Sequence, residues 1–231
     1  MKTLFKIALF CLLGLIALAI VIVPPQDCET AWSASRITDC YKAKAESGDI
    51  NAQYNLGARF LGAKGVEPNE EIAVKWFKVA AEKGHTDAQR RLGNAYSIGA
   101  GGVALDIKKA EYWWVKSAKA GNIEAEMLLG EKYFEGDGLE KSDKKSFEWY
   151  LKAASNGDHH AQMIVGNFYA VGRVVKLDYT LAYAWLILAV EGNDPDSIEE
   201  KDQYKHELSA EARVHAEKMA ANWTNGHIIS Y

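Results

Sequence analysis

Five series of residues recur along this chain in one register, with a period near 36. The glycines Gly48, Gly84, Gly121, Gly157 and Gly192 are spaced 36, 37, 36 and 35 residues apart. A second glycine series, Gly57, Gly93, Gly130 and Gly166, keeps the same step, as do the tryptophans Trp76, Trp113, Trp149 and Trp185. Ala52, Ala88, Ala125 and Ala161 follow it, and so do the aromatics Phe60, Tyr96, Tyr133 and Tyr169. A period of this length marks an array of one supersecondary unit, each copy burying its apolar face against its neighbours. A single closed core is therefore excluded.

Each unit is expected to be a pair of helices. Helix A begins after the boundary glycine, at residues suited to N-capping such as Asp49, Asn122 and Asp158. Its buried stripe follows the i, i+4, i+8 pattern, as in Ala52, Leu56 and Phe60 or Ala88, Leu92 and Tyr96. A glycine-containing loop comes next, and helix B opens at Asn69, Asp106, Asp143 and Asp178. Helix B carries the tryptophan and ends at the next boundary glycine, the expected left-handed terminator. The second glycine series lies inside helix A, where each glycine costs about 1 kcal/mol against alanine. Such a repeated cost predicts a close helix approach, with no room for a Cβ beside an indole of the neighbouring helix.

The stretch Ala88-x-x-x-Leu92-Gly93-x-x-Tyr96-x-x-Gly99-x-Gly101, continued by Asp106, Lys109-Ala110, Trp113 and Lys116-x-Ala118-x-x-Gly121, resembles the Sel1-like repeat, a relative of the tetratricopeptide repeat. Lys152-Ala153-Ala154-x-x-Gly157 repeats the ending. The resemblance implies an all-α fold, an α-solenoid of about four helix-loop-helix repeats serving as an adaptor or scaffold for other proteins. The units fall at 49–84, 85–121, 122–157 and 158–192. The fourth departs from the pattern, with Arg173-Val174 in place of the loop's second glycine and Ile187 where lysine is expected. Residues 26–48 are expected to supply an N-terminal capping half-repeat, since Tyr41 to Gly48 matches the end of a helix B with Cys40 at the tryptophan position. Residues 193–231 are expected to hold the C-terminal capping helices and tail, with Ser209 capping a helix through Ala212, Ala216, Met219, Ala220 and Trp223.

The first 25 residues differ in kind. Lys2 and Lys6 precede seventeen uncharged residues, Ile7 to Val23, followed by Pro24-Pro25. Seventeen is the lower limit for a helix crossing a ~30 Å hydrocarbon layer. The lysines before the run and the acids Asp27 and Glu29 after it orient an anchor with its N-terminus in the cytoplasm. The alternative is a cleaved signal peptide with Ala17-Leu18-Ala19 as the processing site. Either way, residues 26–231 are expected on the extracytoplasmic face of a membrane, which is periplasmic in a bacterium. Cys28 and Cys40 then lie where oxidation is permitted, and they are the candidate disulfide. One continuous helix would hold them about 18 Å apart, so a bridge requires the chain to fold back along the first helix.

Composition narrows the partner. Without Lys2 and Lys6 the chain carries 25 basic residues against 31 acidic ones, a poor match for nucleic acid. No cofactor, metal or small-molecule substrate is expected. None of the six histidines forms a metal-spaced pair, and no nucleophile is set beside a base and an acid. Cysteine-rich Sel1 relatives linked to β-lactam hydrolysis carry a cysteine pair in each repeat, whereas residues 45–192 here hold no cysteine. The chain is thus expected to be non-enzymatic.

The remaining signal is a variable stripe on helix A. Counting from its internal glycine, positions −3, +1 and +4 lie opposite the buried −1 position and differ from unit to unit. They supply the candidate partner groove: Tyr54, Arg90, Asn94, Met127, Glu131, Phe134, Met163 and Asn167. Several are larger and more apolar than a solvated face requires. The expected function is a cell-envelope protein-interaction scaffold. A sharper alternative is an immunity protein neutralising a secreted lipase-type bacterial toxin; regulation of an envelope enzyme is a third.

Overall fold

The computed structural model describes Cys28, residues 33–192 and 195–223, His227 and Ile229. The apolar segment 7–23 lies outside the described residues. Among those described there is no strand, and no helix is long and apolar enough to cross a membrane. Eleven α-helices follow in order: α1 (Ala34–Glu46), α2 (Ile50–Arg59), α3 (Glu70–Glu82), α4 (Thr86–Ile98), α5 (Ile107–Lys119), α6 (Ile123–Glu135), α7 (Asp143–Ser155), α8 (His159–Val171), α9 (Tyr179–Ala189), α10 (Pro195–Lys205) and α11 (Ala210–Ala221). Each helix from α1 to α9 packs on the next, and α11 folds back on α9. This is an α-solenoid: α2, α4, α6 and α8 are the A helices, and α3, α5, α7 and α9 the B helices.

Capping residues set the helix starts. Asp49, Asn122 and Asp158 accept the backbone N–H of Ala52, Ala125 and Ala161 at 2.8–2.9 Å. Asn69, Asp106 and Asp178 do the same for three B helices. In the third unit the cap is Ser142 rather than Asp143, which is the first helical residue, because the hydroxyl already reaches the Lys145 N–H. Phe60 is likewise not the end of the stripe within a helix but the C-cap of α2. Gly84 and its equivalents adopt positive φ, whereas Gly192 sits in a short 3-10 turn. A Cβ on Gly192 would stand 2.8 Å from His159 Cβ, so there glycine serves close approach and not a left-handed turn.

α4 is capped by an imidazole. His85 Nδ1 accepts the Ala88 N–H at 3.3 Å, and the ring stacks on Tyr54 with centroids 4.4 Å apart. Burial lowers its pKa below 6.5, opposed by the Asp87 carboxylate. The folded state therefore binds this proton less readily than the unfolded chain, so stability is lost as pH falls through 6.5. A protonated ring also cannot accept the cap hydrogen bond. Melting temperatures measured from pH 8 to 5 should show a His85-dependent loss of about 1 kcal/mol. His85→Asn should flatten the profile, and an unchanged profile would refute the assignment.

The internal glycines of the A helices meet their B helices, but not at the tryptophan register. A Cβ at Gly57, Gly93, Gly130 or Gly166 would run into Phe77, Trp114, Tyr150 and Leu186 respectively, each one residue beyond the repeated tryptophan. One residue turns a helix by about 100°, so the tryptophan itself points elsewhere. Trp76, Trp113 and Trp149 are half-buried and pack on the apolar cluster that their own A helix forms with the helix before it, while Trp185 is fully buried. At the N-terminal end, Cys28 and Cys40 are joined in a disulfide with their Cα atoms 5.6 Å apart.

One periodic series escapes a purely apolar reading. Gln53, Gln89, Glu126 and Gln162 are buried at the same position of the four A helices. The glutamine Nε2 groups donate to the Ala45, Ala81 and Ala154 carbonyls of the preceding helix at 3.0–3.2 Å. The same carbonyls also accept the N–H of Gly48, Gly84 and Gly157 at 3.1 Å, so each glutamine adds a second bond where a helix ends. The spacing of the series could have revealed it, but polar residues on a helix are ordinarily assigned outward.

Candidate functional site

The variable stripe does not form one open face. Tyr54 is held between His85 and Phe77. Arg90 is only 14% exposed and forms ion pairs with Asp87 and with Glu124 on the next A helix. Asn94 accepts the Trp114 indole N–H at 2.8 Å. Met127 packs into the C-terminal core, and Met163 is half-buried. Tyr54, Arg90 and Asn94 thus join neighbouring elements rather than facing solvent, whereas Ala58, the +1 residue of the first unit, is exposed. Their variation from unit to unit reflects local pairing of side chains.

Two residues of the stripe, Phe134 and Asn167, line one opening. Glu131 and Phe134 are exposed on α6, Phe134 to 40%, and Asn167 on α8 donates to Glu200 at 3.0 Å. Between α6, α7 and α8 lies a cavity of about 320 Å³, lined by Phe134, Tyr150, Ile164, Asn167, Phe168, Val171 and Arg173. Its floor is aromatic and aliphatic: Phe134 meets Phe168 edge-on at 6.5 Å, and Val171 is 66% exposed at its mouth. Burial, with Glu131 and Glu135 nearby, pushes the Tyr150 hydroxyl up to a pKa of about 12, so it stays a hydrogen-bond donor across the physiological range.

Arg173 belongs to the departure in the fourth repeat. In the second and third units, Gly101 and Gly138 bring the loop onto the preceding B helix, where a Cβ would strike Val74 and Ile107. In the fourth unit the loop is tied to the start of α7 by Arg173, whose Nε lies 2.6 Å from Asp143 Oδ2. Its guanidinium carbon also stands 6.0 Å from the centre of the Phe134 ring, and Lys141 Nζ stands 5.5 Å from it. Sequence reading found Phe134 and Asn167 but missed Ile164, Phe168, Val171 and Arg173. Arg173 was legible only as a broken repeat pattern. Among the described residues, no group of three or more His, Cys, Asp or Glu is placed to hold a metal ion.

An α-solenoid with paired helices and an apolar opening among its A helices belongs to the class of helical-repeat proteins. Residues 50–85, 86–122, 123–158 and 159–194 each match the Sel1 repeat, and the chain belongs to the Sel1 repeat family. A Sel1 repeat protein from Oxalobacter formigenes is 27% identical, with 80% of this chain and 78% of that one aligned at a TM-score of 0.66. An immunity protein from Pseudomonas aeruginosa aligns over 78% of this chain and 74% of its own, at 18% identity and a TM-score of 0.46. A protective antigen of uropathogenic Escherichia coli aligns over 84% of this chain and 49% of its own, at 24% identity and a TM-score of 0.47. No curated protein sequence matches the chain. Sel1 repeats generally act as non-enzymatic scaffolds for protein interaction.

Proposed function

We propose that this chain is an extracytoplasmic interaction scaffold whose partner protein engages the A-helix face around Phe134 and Val171. The observation that supports this reading most is the apolar opening between the third and fourth units, floored by aromatic rings and left uncovered by the chain's described residues. Exposed apolar surface of this kind is costly unless something covers it. The other stripe residues, apart from Glu131, contribute by holding adjacent helices in register. The proposed role is non-enzymatic and requires neither cofactor nor nucleic acid. The alternative of immunity to a lipase-type toxin draws no support from the likeness to the Pseudomonas protein, which is one of fold alone.

A photo-crosslinking residue at Val171, used in native envelopes, should yield a discrete protein adduct that the same residue at Lys78 does not. Phe134→Ser should lower its yield about tenfold, as expected for loss of a central anchor. Equal adducts from both positions would overturn the assignment of this face. Placement of the chain has its own test. Alkaline phosphatase fused after Tyr231 should be active, and the chain should resist carbonate extraction from membranes. A soluble product starting near Ile20 would instead identify a cleaved leader, and an inactive fusion would refute the extracytoplasmic reading.

A further inference from the structure

We infer that the opening between α6, α7 and α8 is a recognition pocket for one bulky apolar side chain with a carboxylate beside it, presented by an extended segment of the partner protein. This inference rests on the scaffold reading above and names the chemistry of its partner. At about 320 Å³ the cavity lies at the small end of ligand pockets, a size suited to one large side chain. Its floor of Phe134, Ile164 and Phe168 has no charge to match, and the selective groups stand on the rim.

Those rim groups are donors. Arg173 uses its Nε on Asp143, and its two Nη groups have no acceptor among the described residues. The Tyr150 hydroxyl likewise has no hydrogen-bond partner among them. Lys141 contributes a second positive charge over the face of Phe134, so two cations flank that ring while Asp143 balances one of them. Glu131 and Glu135 act on Tyr150, and Glu200 accepts from Asn167, so the site for an added carboxylate is confined to the Arg173 edge. A guanidinium with both terminal nitrogens free matches a carboxylate in a two-bond geometry. An apolar side chain seated on Phe168 would bring a neighbouring carboxylate to that edge. The repeat pattern points to the same place: the pocket's cation immediately precedes Val174, which stands where the other units have Gly101 and Gly138.

The carboxylate can come from an acidic side chain following the anchor or from the end of the partner chain. Full-length protein in lipid nanodiscs is titrated with N-acetyl-tryptophan, N-acetyl-tryptophanyl-aspartate amide, N-acetyl-tryptophanamide and N-acetyl-aspartate amide. Binding is followed by amide and arginine side-chain NMR shifts. The first two probes should shift residues 164–173 and bind at least about tenfold more tightly than the other two; whichever of them is tighter identifies the source of the carboxylate. Arg173→Gln should abolish the preference for carboxylate, and Arg173→Lys, which keeps the charge, should retain part of it. If neither N-acetyl-tryptophan nor N-acetyl-tryptophanyl-aspartate amide binds more tightly than N-acetyl-tryptophanamide, or if the shifts are confined to other repeats, the inference is overturned. If Val171 captures a partner while no carboxylate preference is seen, the scaffold reading survives and this pocket chemistry does not. A carboxylate preference without a Val171 adduct would sink the scaffold reading and the partner segment with it, leaving only the pocket's preference for an apolar carboxylate.

Discussion

Replacing Gly93 by leucine should destabilise the array by about 3 kcal/mol or more, measured by chemical denaturation followed by circular dichroism. Even an alanine Cβ there would lie 2.4 Å from Trp114 Cδ1 and 3.1 Å from the Ala110 carbonyl. The indole is fully buried, and its N–H is committed to Asn94, so it cannot swing away cheaply. Alanine's helix propensity returns only about 1 kcal/mol of that cost. Gly166 provides the internal comparison. Its nearest neighbour is Leu186 Cγ at 3.1 Å, part of an aliphatic side chain with other rotamers to adopt. Gly166→Ala should therefore cost less than Gly93→Ala. Equal losses would show that glycine is needed for a reason other than this contact.

Glu126→Gln should stabilise the protein by about 2 kcal/mol at neutral pH, from removal of a buried charge and recovery of a hydrogen bond. Glu126 is 1% exposed and occupies the position where the other three units carry glutamine. Its carboxylate accepts from Asn156 Nδ2 at 2.9 and 3.2 Å but, while ionised, can donate to nothing. Burial raises its pKa above 4.5, partly offset by the Asn156 hydrogen bond and the Lys152 charge. The folded state thus binds the proton more tightly than the unfolded chain. The wild type should lose stability as pH rises above 4.5 through the folded pKa, and the Gln variant should lack that component. If the variant is less stable at pH 7, then Glu126 is held by a charge interaction stronger than its desolvation.

The partner face carries a related lesson about substitutions. Met127 and Phe134 fall in the same variable stripe, yet Met127 contributes to the C-terminal core and Phe134 lines the cavity. A change at Met127 confounds binding with stability. Phe134 and Val171 separate the two, because both are substantially exposed.

Features that depend on local chemistry and on strict recurrence are legible in the residue order. Helix existence, the A–B hairpin, most capping residues and the number of units follow from glycine, alanine and Asp/Asn positions that repeat every 35 to 37 residues, because each unit buries surface mainly against its neighbours. The need for glycine at position 93 was legible too, though not its partner, since a shift of one residue along α5 rotates the contact from Trp113 to Trp114. Only the tertiary structure decided which variable positions are open. Arg90, Asn94 and Tyr54 are polar or aromatic side chains whose partners lie 20 to 34 residues away, as Glu124, Trp114 and His85 do, and a pattern confined to one helix carries no record of them. The pocket is a tertiary object for the same reason. Its walls come from two A helices, one B helix and the loop after α8, and Arg173 enters it because the ion pair with Asp143 orients a side chain that the repeat pattern marks only as an exception.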